Sequence, residues 1–121
     1  MKRLLLLFAA ICCTAMMQAE TLTNVKYIDA NGVEQICPSA TVITDGYRSY
    51  LSYKNETNGW YVVTGTVTTQ GLSCNGEAHL ILADGAKLTT TGKEHEAGIT
   101  VQKIWNARLT IYGQAAQSGQ L

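Results

Sequence analysis

Several common signatures of chemistry are missing from this 121-residue chain. It has no GxSxG elbow, no HExxH pair and no phosphate-binding loop, which removes the usual local marks of serine hydrolases, zinc peptidases and nucleotide hydrolases. Charge of one sign is lacking too: nine Lys/Arg stand against nine Asp/Glu, so no basic surplus exists to hold a nucleic-acid backbone. The longest apolar run, Leu4 to Cys13, falls well short of the roughly 18–20 residues that cross a bilayer. Proline occurs once, and aromatic residues make up only 7% of the chain. With Gly and Thr abundant, that balance favours short strands joined by tight turns over helices.

The opening residues supply an address. In MKRLLLLFAAICCTAMMQA, Lys2 and Arg3 precede the apolar run and small residues lead to Ala19. This is the layout of a secretory signal peptide cleaved after Ala19, with Ala15 as the alternative. A lipid anchor on Cys12 or Cys13 fits less well, because the preceding residues, Ile11 and Cys12, do not suit the motif. Lys2 and Arg3 account for two of the nine cations, so residues 20–121 hold seven Lys/Arg against nine Asp/Glu, a formal charge of −2. That stretch is the size of one small domain and keeps Cys37 and Cys74. An exported protein can bridge them, at about 3–4 kcal/mol by loop closure. The other reading makes Cys74 a small inward hydrophobe of the repeat.

The repeat is seen by setting AHLILADGAKL, from Ala78, beside ARLTIYGQAAQ, from Ala107, at an offset of 29 residues. Leu80 then matches Leu109 and Leu82 matches Ile111, with the more polar His79, Ile81, Arg108 and Thr110 alternating on the other face. Period-two alternation marks strands with one buried side. Upstream, Leu72-Ser73-Cys74 matches Ile99-Thr100-Val101 at an offset of 27. Repeats of this length built from short strands and turns indicate a β-solenoid, whose coils bury their apolar faces by stacking. Before Trp60, VKYIDANGVEQIC carries a hairpin signal at Asn31-Gly32, expected to cap the first coil; Asp45 to Asn58 reads as a loop. At the other end the chain reaches Leu121 without a terminal cap, which predicts an incomplete solenoid.

The pattern GWYVV-x-G-x-V, then HLILADG-x-x-L, then LTIYGQ, in that order over residues 59–114, resembles a segment near the amino terminus of large, repeat-bearing surface proteins of anaerobic gut bacteria. The resemblance extends over roughly residues 26–121 and implies an exported right-handed β-helix-like module. Lys93-Glu94-His95-Glu96 is an insertion relative to that pattern.

Candidate chemistry is sparse. Glu94-His95-Glu96 has metal-ligand residue types, but three consecutive residues cannot all face one ion from a strand. Asp84-Gly85 and Asn75-Gly76-Glu77 offer the hard oxygens calcium takes and read as turns. Glu77 and Asp84 are the only carboxylates near strands, with nothing to fix them at a catalytic separation. Asn55-Glu56-Thr57 is an incidental sequon. Tyr50, Tyr53, Trp60, Trp105 and Tyr112 are the candidate glycan contacts, being flat amphipathic side chains that stack on sugar rings. Tyr47 and Tyr61 belong to the same set, and the competing reading has Trp60 and Tyr61 anchor the cap while Trp105 covers an inter-coil loop.

The sequence thus predicts an all-β fold: a short right-handed parallel β-helix with an N-terminal β-hairpin cap, incomplete at its C-terminus. Residues 1–19 are the signal peptide, 20–58 the hairpin and capping loop, and 59–121 the coils. The expected function is an exported bacterial cell-surface structural and adhesion module, without catalysis, metal or cofactor; the alternative is a carbohydrate-binding module. Expected partners are glycans or host and microbial surface proteins, without nucleic acid or a transmembrane segment. Self-association through the uncapped C-terminal edge is also expected.

Overall fold

The computed structural model describes residues 20–47, 50–52, 59–92 and 97–121. The leader at 1–19, Tyr53, the sequon at 55–57, the insertion at 93–96 and the side chain of Trp105 lie outside the described residues. The fold is all-β. Its strands are β1 (Thr21–Ile28), β2 (Glu34–Val42), β3 (Gly59–Val63), β4 (Thr66–Gln70), β5 (Leu72–Cys74), β6 (Glu77–Leu82), β7 (Lys87–Thr91), β8 (Ile99–Val101) and β9 (Arg108–Tyr112), with one 3₁₀ turn at Lys103–Trp105.

β1 and β2 form an antiparallel hairpin, and every other strand pairing is parallel. One sheet has the order β1-β2-β3-β6-β9, a second pairs β4 with β7, and a third pairs β5 with β8. The chain therefore passes through the three sheets in one order, β3-β4-β5, repeats it as β6-β7-β8, and returns to the first sheet at β9. Gly65 and Gly85, at φ +67° and +76°, turn the corresponding corners after β3 and β6 in a conformation that a Cβ disfavours.

Side chains of matching strands lie in rows. Tyr61, Leu80 and Ile111 are neighbours across β3, β6 and β9; Val67 lies beside Leu88 and Leu72 beside Ile99. Apart from the exposed Ile111, these rows build an inner apolar cluster closed by Ile43 and Leu51. Both fall in or beside the stretch read from sequence as a loop, whose described part holds no strand and runs along the edges of the neighbouring strands. Gly46 N–H donates to Thr68 C=O at 3.1 Å and Leu51 N–H to Ser73 C=O at 2.9 Å.

The offset of 27 between β5 and β8 is as the sequence predicts. The offset of 29 is not: Ala78 pairs with Leu109 and Leu80 with Ile111, so Leu82 does not lie beside Ile111. A two-residue slip leaves every side chain on the same face, so alternation alone cannot tell the registers apart. The length is taken up in the 3₁₀ turn, where Asn106 at φ 50° closes the turn through its N–H to Lys103 C=O.

The hairpin forms about Asn31-Gly32 as the sequence predicts, and its packing reaches further than an end cap. Its turn is held by Asp29 Oδ1, which accepts the N–H groups of Asn31 and Val33, each at 2.9 Å. β2 closes the edge of β3 only at Thr41 and Val42. The rest lies over the outward side of the β3-β6-β9 sheet, where Val25, Cys37, Ala40 and Val42 pack with Val62 and Ile81. Ile81, read as part of a polar face, is consequently fully buried. Cys37 belongs to this outer cluster and Cys74 to the inner one. Both are free and buried, and the bridge is not formed.

Candidate functional site: an aromatic column on the outer face

Strand alternation sends Trp60, Val62, His79, Ile81, Thr110 and Tyr112 outward from the β3-β6-β9 sheet. Parallel register then sets Trp60 beside His79, and Ile81 beside Tyr112. The rings stack on one another. Trp60 and His79 have centroids 4.3 Å apart and planes at 14°; Trp60 and Tyr112 are 5.5 Å apart at 16°. Tyr27, brought over by the hairpin, sits 4.9 Å from both Trp60 and Tyr112 in tilted contacts.

Polar groups fix the ring positions. His79 Nδ1 and Tyr112 Oη are hydrogen-bonded at 2.8 Å, and Glu77 Oε1 lies 3.6 Å from His79 Nε2. Burial pushes the Tyr112 hydroxyl above its ordinary pKa, with Tyr27 and Glu77 adding to the rise against a hydrogen bond from Thr110. Tyr27 is raised by burial and then by Cys37 and Asp29. Both phenols stay protonated at neutral pH, so they act as hydrogen-bonding and stacking groups.

Of the five glycan candidates, the structure brings together Trp60 and Tyr112. Tyr50 sits elsewhere, next to Leu51, which bridges to Cys74 of β5. Tyr53 and the Trp105 side chain lie outside the described residues. Tyr61 faces inward; its hydroxyl accepts the Ser52 N–H at 2.7 Å, while Ser52 Oγ donates to Glu77 C=O at 2.7 Å. Tyr47 packs edge-on against Tyr61. Tyr27 and His79 were missed from sequence. The signal for His79 was present, since aligning GWYVV with AHLIL sets it beside Trp60, but it was counted only as a polar residue on an alternating strand.

Glu77 opens β6, and Asp84 lies in the turn beyond its other end. The five extended steps of the strand alone span about 17 Å, beyond the roughly 5–9.5 Å of paired glycosidase carboxylates. Asp84 Oδ2 accepts the Ala116 N–H at 3.1 Å, and Gln114 Oε1 accepts the Asp84 N–H at 3.0 Å, so this residue latches a turn. Among the described residues no group of three or more His, Cys, Asp or Glu could hold a metal ion. Comparison with models of known protein families, with curated proteins and with solved structures finds no match.

Proposed function

We propose that this chain is an exported bacterial cell-surface module with a structural and adhesive role and no catalysis of its own. Its strands are coils of a short right-handed parallel β-helix related to the repeat-bearing surface proteins it resembles. The observation that carries this reading is the passage of the chain through three sheets in one order, β3-β4-β5 then β6-β7-β8, with parallel in-register pairing at each. Such stacking extends a rigid rod one coil at a time, and parallel crossovers are right-handed almost without exception. The leader pattern at residues 1–19 supports export, and no helix among the described residues is long and apolar enough to cross a membrane.

A carbohydrate-binding role is the second reading, favoured by the grouping of Trp60 and Tyr112 on one face. A sugar platform needs open ring faces, whereas these rings cover one another, which favours the structural role. Expression with the native leader in a bacterial host tests the first reading. Amino-terminal sequencing of exported material should begin at Glu20. A chain retained in the cytoplasm with Met1 intact removes the surface role, and glycan-array binding lost on Trp60→Ala would put the second reading in its place.

A further inference from the structure

The most unbalanced feature of the molecule is the difference between the two ends of its strand stack. At one end every sheet edge is covered: β3 by Thr41 and Val42, β4 by Asp45 and Gly46, and β5 by Leu51. β1, the outer strand on that side, is broken by Asn24 at φ +53° and carries Lys26, two devices that blunt edge pairing. At the other end Gln120 bonds to β7, while β9 is an edge strand. Its Ile111 remains 41% exposed.

The direction of each backbone group on β9 follows from alternation. Arg108 N–H donates to Gly76 C=O, so Arg108, Thr110 and Tyr112 turn their backbone groups toward β6. The N–H and C=O groups of Leu109 and Ile111 turn outward. Ala107 and Gly113 share that outward direction and are already used: Ala107 N–H donates to Gln102 C=O, and Gly113 C=O accepts the Ile28 N–H at 3.0 Å. Among the described residues, two outward residues of β9, Leu109 and Ile111, are left for a partner strand.

We propose that two copies of this chain join through β9, paired antiparallel with Thr110 on the two-fold axis. This register places Leu109 opposite the partner's Ile111 and Ile111 opposite the partner's Leu109. Each of those pairs exchanges both backbone bonds, as hydrogen-bonded antiparallel pairs do, and the inner apolar row continues across the axis. Sliding the partner by two residues in either direction centres the pair on Leu109 or Ile111. It then sets Ile111 against Ala107, or Leu109 against Gly113, whose groups are taken. Charge agrees with the unshifted register. The partner's Arg108 faces Tyr112 and enters a groove of about 450 Å³ lined by Ile28, Asp29, Ala30 and Thr110–Gly113, where the Asp29 carboxylate is held ionised by its hydrogen bonds. The contact is isologous, so it closes as a dimer, and the covered opposite end prevents growth into a filament.

Sedimentation over a concentration series, with site-directed cross-linking, tests the proposal without relying on the surface role. Thr110 forms a non-hydrogen-bonded pair across the axis, where Cβ atoms come close enough for a disulfide. In a chain carrying Cys12→Ser and Cys13→Ser, Thr110→Cys should oxidise with oxidised glutathione to a covalent dimer much faster than Thr89→Cys on the exposed side of β7. Arg108→Glu, at an exposed position, should weaken dimerisation by about tenfold or more with its circular dichroism unchanged. A monomer at every concentration, growth beyond the dimer, or equal cross-linking at positions 110 and 89 would overturn the proposal. A monomer would assign the β9 edge to a strand from another source.

Discussion

Replacing Ile81 by Ala distinguishes the observed packing from the alternation read in the sequence. By alternation Ile81 faces water, and truncating it there would change stability by no more than about 0.5 kcal/mol. In the fold it is fully buried between the sheet and the hairpin, among Val25, Cys37, Ala40, Val42 and Val62. Removing a buried Ile side chain to Ala costs about 2–5 kcal/mol, the transfer loss plus the cavity left behind. The upper part of the range is less expected here, because a two-stranded hairpin can settle into the space more readily than a closed core. A loss of about 3 kcal/mol is a large share of the roughly 5–15 kcal/mol that holds a small domain together. With a urea slope of about 1–3 kcal/mol per molar, the midpoint should fall by roughly 1–3 M. Far-UV circular dichroism at fixed chain concentration reads it directly, with Thr68→Ala on the exposed side of β4 as the control. A midpoint for Ile81→Ala within error of that control would refute the placement of the hairpin over the sheet.

Three further outcomes follow from named contacts. Tyr61→Phe should cost about 1–3 kcal/mol in the same urea assay, because it strands the buried Ser52 N–H; an unchanged midpoint would mean that another acceptor reaches it. The Asp29 carboxyl is held below its ordinary range, first by the Val33 N–H and then by Gln35, with Asn31 adding to them. A lowered folded pKa gives stability that is complete above about pH 4 and lost as the pH falls further, so Asp29→Asn should flatten acid unfolding in that window. Equal slopes for the two proteins would contradict the hydrogen-bonded turn. Burial raises the thiol pKa of both Cys37 and Cys74, so neither should react with a disulfide reagent until the chain unfolds, and a fast-reacting thiol at position 37 would show that the hairpin opens.

Strand content, the parallel match of β5 with β8 and the turn at Asn31-Gly32 were legible because each is written in local pattern. What was hidden is relational. The shift of β9 by two residues leaves the alternation of Leu109 and Ile111 intact, so only the geometry of the 3₁₀ turn at Lys103–Trp105 decides it. The burial of Ile81 depends on a hairpin some forty residues earlier lying across the sheet, and no periodicity in β6 records a cover supplied from elsewhere. For the candidate site, Trp60 and Tyr112 were visible as aromatics on alternating strands. Their union with His79 and Tyr27 required both the register and the hairpin, the two features that sequence left open.

The parallel register of β6 and β9 supports the aromatic column, the outward groups of β9 and the repeating sheet order together, so it is the most direct test of the account. Backbone nuclear Overhauser effects in the uniformly labelled chain measure it. The account predicts cross-strand contacts linking Ala78 with Leu109 and Leu80 with Ile111, continued from Leu80 to Tyr61. Contacts that instead link Leu80 with Leu109 and Leu82 with Ile111 would contradict it.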